Sequence, residues 1–258
     1  MAQQSLSLKE AARLEERVTA EEIRNAVWDC GSSKAPGADE FSFNFVKRYW
    51  ELIKNDVNAF VFEFFDKGFI PIGCNASFIT LIPKVDNPIA LNDYRPISLI
   101  SLQYKIIAKL LTNRLIKVIN SVISVEQSTF VKGRQILDGH LMVNEIISWC
   151  KRRKRRLMVF KVDFEKVFDS VSWGFLDRLM YLLGFPHKWR SWIRACLVSA
   201  RSSVIVNGST TNEFALERGL RQSDPLSPYL FIIVMEGQHI FMEDAMSAGL
   251  YSGISIGR

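Results

Sequence analysis

Two carboxylates set six residues apart, Asp163 and Asp169, are the first candidates for chemistry in this chain. An apolar run, Leu157 to Val162, leads into Asp163 and is rich in residues that favour strands. Phe164 and Glu165 then turn away, Asp169 follows, and Trp173, Leu176, Leu179, Met180 and Leu183 recur at helical spacing. A buried strand that delivers an Asp at its C-terminal end is a common way to place a metal ligand. The plainer reading is an Asp at a strand end followed by an Asp that helps to cap a helix. The residues alone leave both readings open.

The elements that must position these carboxylates can be read on either side. Phe78 to Pro83 reads as a strand with Lys84 at its end, and a loop with Asn87, Pro88 and Asn92 leads to Tyr94–Leu99 and Arg95. A guanidinium grips phosphate oxygens bidentately and an ammonium adds a point charge. A lone Lys or Arg in such a loop is more commonly just solvated. Gln103 to Ile119 is amphipathic: Ile106, Ile107, Leu110, Leu111, Leu115 and Val118 share one face, and Lys105, Lys109, Arg114 and Lys117 make a solvated basic one. Ser42 caps a helical stretch with a wide apolar face, from Phe45 to Phe64, ending near Gly68. Thr19 and Glu22 form a capping box for a helix with Ile23 and Val27, stopped by Gly31. Met1 to Val18 reads as a loose arm or a frayed helix. Lys151–Arg156, K-R-R-K-R-R, is a solvated turn, a localisation signal or a nucleic-acid patch. Downstream, Trp189, Trp192, Ile193 and Cys196 mark a helix. Asn207-Gly208 marks a tight hairpin, and Asp224-Pro225 suits a helix start that runs through Leu230, Ile233 and Val234.

The stretch F-K-V-D-F-E-K-V-F-D-S-V-S-W, Phe160 to Trp173, resembles the first catalytic motif of reverse transcriptases from LINE-type (non-LTR) retrotransposons, particularly the plant branch. Others stand in the family's order: K-A-P-G-A-D-E-F near Ala35, I-P-K with Y-R-P-I-S-L, Q-S-T-F-V-K-G-R-Q-I from Gln127, and R-G-L-R-Q-S-D-P-L-S-P from Arg218. The resemblance implies an RNA-directed DNA polymerase that transfers nucleotides with two divalent ions, Mg²⁺ or Mn²⁺, about 3.5–4 Å apart. It makes Asp163 the catalytic residue and a metal ligand, with the Phe164 carbonyl beside it. Lys84, Arg95, Phe164, Phe168 and Gln222 become nucleotide-binding, with Phe168 the bulky residue that excludes a ribose 2′-hydroxyl. Lys132, Arg134 and Ser223 become nucleic-acid-binding. The partners implied are an RNA template, a DNA primer and deoxynucleoside triphosphates.

Five positions depart from the family pattern: Ala38 for Pro, Glu40 for Gly, Thr129 for Ala, Val167 for Ala and Ser223 for Gly. A glycine conformation at Glu40 or Ser223 would strain a side chain, and Val167 enlarges the group beside the sugar. No Y-A-D-D or F-A-D-D box follows within the sequence, and Glu243-Asp244 lies in a helical stretch. One carboxylate stands where the family has three, so these residues are expected to be truncated before that box and inactive on their own. The alternatives are a non-catalytic nucleic-acid-binding remnant and a non-functional pseudogene product.

Composition agrees with a folded, basic chain. Of 258 residues, 48 % are hydrophobic and the formal net charge is +6. The pI of about 9.2 suits a polyanionic partner without proving one. Four scattered cysteines and three scattered histidines lack metal-ligand or redox spacing, so zinc is not expected and free thiols point to an intracellular setting, nucleus or cytoplasm. No signal peptide is read at the N-terminus, and the longest apolar run, Tyr229 to Met235, is too short to span a bilayer, so no membrane partner is expected. The fold class expected is α+β: fingers over residues 33–156 and an incomplete palm over 157–258, helices packed on a small antiparallel sheet, preceded by an arm and helix over 1–32.

Overall fold

The computed structural model describes residues 5–33, 35–127, 134, 136–162, 164 and 166–254. Asp163 and Lys132 lie outside the described residues.

The N-terminal segment is not a loose arm. Ser7 caps α1 (Leu8–Leu14): its hydroxyl accepts from the Glu10 amide, and the Glu10 carboxylate accepts in return from the Ser7 amide at 2.9 Å. Leu6, Leu14 and Val18 are buried, so the segment is held by apolar contact as well as by its cap. The helix α2 (Ala20–Asp29) is capped by Thr19 and buries Ile23, Ala26 and Val27. Ser42 caps α3 (Phe43–Arg48) as the sequence suggests, but the expected single helix breaks at Tyr49 and resumes as α4 (Trp50–Lys67). Gly68 ends α4 in the left-handed region, φ 64°.

Next, β1 (Ala76–Pro83) pairs antiparallel with β2 (Tyr94–Ile100), and α5 (Leu102–Ile116) follows directly. All six residues assigned to the inner face of α5 are buried or sit beside its end in the core. Its basic face is not simply solvated. Arg114 is buried and makes a two-point pair with Glu22 at 2.8 Å per bond, while also donating to the Leu14 and Glu16 carbonyls. That pair ties α5 to α1 and α2, and one hydrophobic core runs from Leu6 to Ile233.

The expected strand at Leu157–Val162 is absent. After α6 (Ile136–Arg152) the chain turns through Lys154, at φ 52°, and continues as extended coil with no strand partner among the described residues. Met158, Val159 and Phe160 are exposed. Strand propensity describes a fit to a pleated, half-buried surface, and here there is no such surface to fit.

A short helix α7 (Val167–Ser170) leads to α8 (Trp173–Leu182), capped by Ser172, and α9 (His187–Val198). The stripe Trp189, Trp192, Ile193 and Cys196 is fully buried. Then β3 (Arg201–Val206) enters the sheet parallel to β1 and pairs with β4 (Ser209–Thr210) and β5 (Phe214–Ala215). The hairpin turns at Asn207-Gly208, both at positive φ, as a two-residue turn of this sequence requires. The sheet order is β2-β1-β3-β4, so the α+β class holds while the sheet is mixed. The parallel pair arises because α9 carries the chain back to the start of β1 before β3 begins: the Arg201 amide donates to the Asn75 carbonyl. Finally, α10 (Ser227–Ser247) starts two residues later than the sequence suggests, because the Asp224 carboxylate is drawn into a turn and accepts from the Leu226 amide.

Candidate functional site

Lys84 and Arg95 fall at one end of the β1–β2 pair. The register sets Ile82 opposite Arg95 and Pro83 opposite Tyr94, so Lys84 follows the last pair. The Lys84 amide and ammonium both close the connecting loop, donating to the Asp93 and Asn92 carbonyls at 2.7 and 2.8 Å. Asp93 accepts from the Ala90 and Ile89 amides, which hold its carboxyl below the usual range. Arg95 is exposed and, among the described residues, makes no ion pair. The arrangement presents one exposed guanidinium and one loop-anchored ammonium at the same sheet end.

The second part of the site is α7 and what it lies on. Lys166 enters α7 at φ 49°, a costly conformation for a side chain. The Phe168 carbonyl accepts from the Leu220 amide at 2.7 Å and the Val171 carbonyl from the Gly219 amide at 2.8 Å. Trp173 returns the tie, its indole N–H donating to the Gly219 carbonyl at 2.8 Å. The chains cross so closely that a Cβ on Gly219 would stand 2.7 Å from the Asp169 carbonyl oxygen, and Gly219 sits at φ 83°. No other residue fits there. The Phe168 ring is half-buried and stacks on Phe231, centroids 4.5 Å apart, so it is braced by α10. Phe164 is exposed. Partial burial pushes the Asp169 carboxyl up, against the pull of Lys166.

Between these two parts lies the turn Arg221–Asp224. The Asp224 amide donates to the Arg221 carbonyl, and Ser223, the third residue, sits at φ 81°. That is the position at which type II turns take Gly. The Gln222 carbonyl accepts from the Ser98 amide of β2 at 3.1 Å. The turn is thereby joined to the strand that carries Arg95 on one side and, through Gly219 and Leu220, to α7 on the other.

Residues 82–245 match the family model described as reverse transcriptase (RNA-dependent DNA polymerase). This chain belongs to that family. It is 31 % identical over 90 % of its length to the "Transposon TX1 uncharacterized 149 kDa protein" of Xenopus laevis, of which it covers 18 %. It is 29 % identical over 85 % of its length to a Pol polyprotein from a type-1 R2 retrotransposable element of Popillia japonica, of which it covers 30 %. It is 25 % identical to the "RNA-directed DNA polymerase from mobile element jockey" of Drosophila melanogaster, covering 84 % of this chain and 24 % of that one. The chain thus spans less than a third of these relatives. Among solved structures, a partial Cas6-RT-Cas1–Cas2 complex aligns with 91 % of this chain and 35 % of its own, at 17 % identity and a TM-score of 0.46. The chain is a reverse transcriptase domain fragment related to retrotransposon proteins.

Arg134 is engaged within the fold. Its guanidinium donates to the carbonyls of Ser124, Gln127 and Ile123, closing the turn after α5. Its terminal nitrogens are thus engaged with backbone carbonyls of the fold. The same turn is held from α10, where buried Glu236 accepts from the Ser124 amide and hydroxyl, each at 3.0 Å. All six residues of the basic run are exposed, and Arg155 lies over the Trp149 ring, 5.1 Å from its centroid.

Reverse transcriptases use divalent metal ions. Among the described residues no group of three His, Cys, Asp or Glu side chains is close enough to hold one. Asp163, the ligand that the motif implies, lies outside the described residues.

The residues that sequence reading missed are those under the turn. Asn75, Tyr104 and Asp224 surround the Arg221 guanidinium in the core. One signal was available for Tyr104: an aromatic hydroxyl on the buried stripe of an amphipathic helix needs a partner. Asp39 was missed as well. Its carboxylate accepts from the Leu102 amide and so caps α5 in place of Ser101, whose side chain makes no capping bond there. Gly37 lets that loop lie on the end of β2, where a Cβ would stand 2.1 Å from the Ile100 carbonyl oxygen.

Proposed function

We propose that these residues are the fingers and part of the palm of a LINE-type retrotransposon reverse transcriptase of the plant branch, working in the nucleus or cytoplasm on an RNA template and a DNA primer. The observation that carries this reading is the Arg221–Asp224 turn, bonded to the Arg95 strand and tied to α7. In this reading Arg95 and Lys84 meet the triphosphate of the incoming nucleotide, and Gln222 lies beside it. Ser223 meets the template strand through its backbone, and Phe168, braced by Phe231, bounds the sugar. Asp163 supplies the carboxylate at which the family's chemistry takes place. The segment bearing the family's remaining carboxylates follows residue 258 in the intact protein.

A second reading is favoured by one specific observation. Ser223 sits at φ 81° where the family has Gly, and a site that no longer catalyses tolerates such a change. The chain would then be a remnant that binds nucleic acid without extending it.

Primer extension on an RNA template with the purified 258-residue chain, in Mg²⁺ and separately in Mn²⁺, tests both. No extension is expected from the chain or from Asp163→Ala, because charge stabilisation and positioning carry almost all of this chemistry. Extension that disappears in Asp163→Ala would overturn the expectation. Appending a family-like segment with the Asp pair then separates the readings. Activity without further change supports the truncated polymerase. Activity only after Ser223→Gly and Val167→Ala supports the remnant.

A further inference from the structure

The Arg221–Asp224 turn is fastened from below by side chains far away in sequence. The Arg221 guanidinium donates to the Asn75 side-chain oxygen at 2.6 Å and to the Asn75 carbonyl at 3.3 Å. It also faces the Asp224 carboxylate at 3.4 Å and lies 4.3 Å from the centre of the Tyr104 ring. The Tyr104 hydroxyl donates to the same Asp224 oxygen at 2.6 Å, and the other oxygen takes the Leu226 amide at 2.8 Å. Asn75 is fixed in turn, its amide donating to the Cys196 carbonyl and the Ser199 hydroxyl, both at 2.8 Å. Relative exposures are 8 % for Arg221, 5 % for Asp224, 2 % for Tyr104 and 1 % for Asn75.

A buried ion pair is weak evidence for stability, since apolar replacements are often as stable. What it does well is fix a geometry. Here the two charged residues are the first and fourth of one tight turn, and the two between them are the ones that face the proposed site. Among the described residues, the turn's one backbone hydrogen bond to β2 is Ser98 to Gln222. We propose that Asn75, Tyr104 and Asp224 clamp Arg221 so that the Gln222–Ser223 tip is held against β2: they are positioning residues for nucleotide binding, and none touches the ligand. The inference rests on the site reading given above for Gln222.

Amide hydrogen exchange and a double-mutant cycle on the full chain test it. Tyr104→Phe removes one hydroxyl and keeps the ring over Arg221. Loss of a single buried bond of this kind corresponds to about tenfold in an opening equilibrium. The Ser98 amide should therefore exchange about tenfold faster in Tyr104→Phe, while the amides of the β1–β2 ladder stay protected. Affinity of the chain on an RNA–DNA primer–template for the deoxynucleoside triphosphate that pairs with the next template base should fall about fivefold in Tyr104→Phe and in Gln222→Ala. The double variant should be no weaker than Gln222→Ala, because both act through one turn. Ser98 protection that is unchanged, or that falls with the whole sheet, overturns the clamp. Additive losses also overturn it, leaving Tyr104 a general stabiliser. An unchanged affinity in Gln222→Ala with selective Ser98 deprotection overturns the role in binding and locates the failure in the site reading. Asp224→Asn carries the same cycle if Tyr104→Phe does not fold.

Discussion

At the scale of single residues, backbone conformation gives the sharpest expectations. Ser223 and Glu40 both occupy positive φ, at 81° and 60°, where a glycine pattern in the sequence had pointed. Ser223→Gly should raise stability by about 1 kcal/mol, the strain relieved less the added freedom of the unfolded chain. A urea melt should show a higher midpoint at constant slope; a lower midpoint would mean that the turn is not strained. Glu10 supplies a pH test. The Ser121 hydroxyl, then the Ser7 hydroxyl and amide, lower its carboxyl from 4.5 to about 2. The folded value lies below the unfolded one, so the charged form is favoured by folding. The contribution is present above pH 4.5 and is lost as pH falls toward 2. Glu10→Gln should flatten the acid side of the stability profile over that window, with its loss greatest at neutral pH and vanishing toward pH 2; an unchanged acid slope would place the loss elsewhere. Such local features were legible because glycine positions and caps depend on neighbours in sequence. The Asn75–Arg221–Asp224–Tyr104 cluster was not, because a buried polar residue names no partner: Asn75 and Arg221 stand 146 positions apart.

At the scale of elements, periodicity read well and partnership read poorly. The inner face of α5, the buried stripe of α9 and the Asn207-Gly208 hairpin follow from spacing alone. The strand at Leu157–Val162 failed because its propensity has no sheet to act on, and α1 was left undecided between a loose arm and a frayed helix because a short helix with one capping box is weak on its own. Arg114 shows the same limit. Its position suggested a solvated face, yet it is the buried joint between α5 and the N-terminal helices. Arg114→Met should cost about 3 kcal/mol or more, since Glu22 and two carbonyls lose their donor. Lys54→Met, which breaks the exposed pair with Glu51, should change stability by less than about 1 kcal/mol. Equal effects in a denaturant titration would refute the assignment of Arg114 as the joint. Phe160→Lys should leave the midpoint within about 0.5 kcal/mol, because the side chain is 76 % exposed. It should also reduce self-association in sedimentation, as exposed apolar, strand-prone segments pair with copies of themselves.

At the scale of the whole molecule, charge and topology carry the consequences. The net charge of +6, with six exposed cations in the Lys151–Arg156 run, predicts duplex binding dominated by phosphate contacts. Affinity should drop at least about tenfold between about 50 and about 200 mM salt, with little sequence preference. A salt-insensitive affinity in filter binding would remove the electrostatic basis of the proposal. Topology acts earlier, during synthesis. The central pairing of the sheet joins β1 to β3, and Ser77 meets Ser202 across 125 positions. At about 5–20 residues per second, β1 waits roughly 6–25 s on the ribosome before β3 exists. Until then the β1–β2 hairpin has an open inner edge, and until Cys196 and Ser199 are made, just before β3, Asn75 lacks the carbonyl and hydroxyl that take its amide. The hairpin can be made early but cannot close. A nascent chain stalled before Arg201 should therefore be cleaved readily by protease within β1, and one released past Leu230 should resist, which makes the synthesis of the stretch between β1 and β3 the period in which this sheet depends most on chaperones.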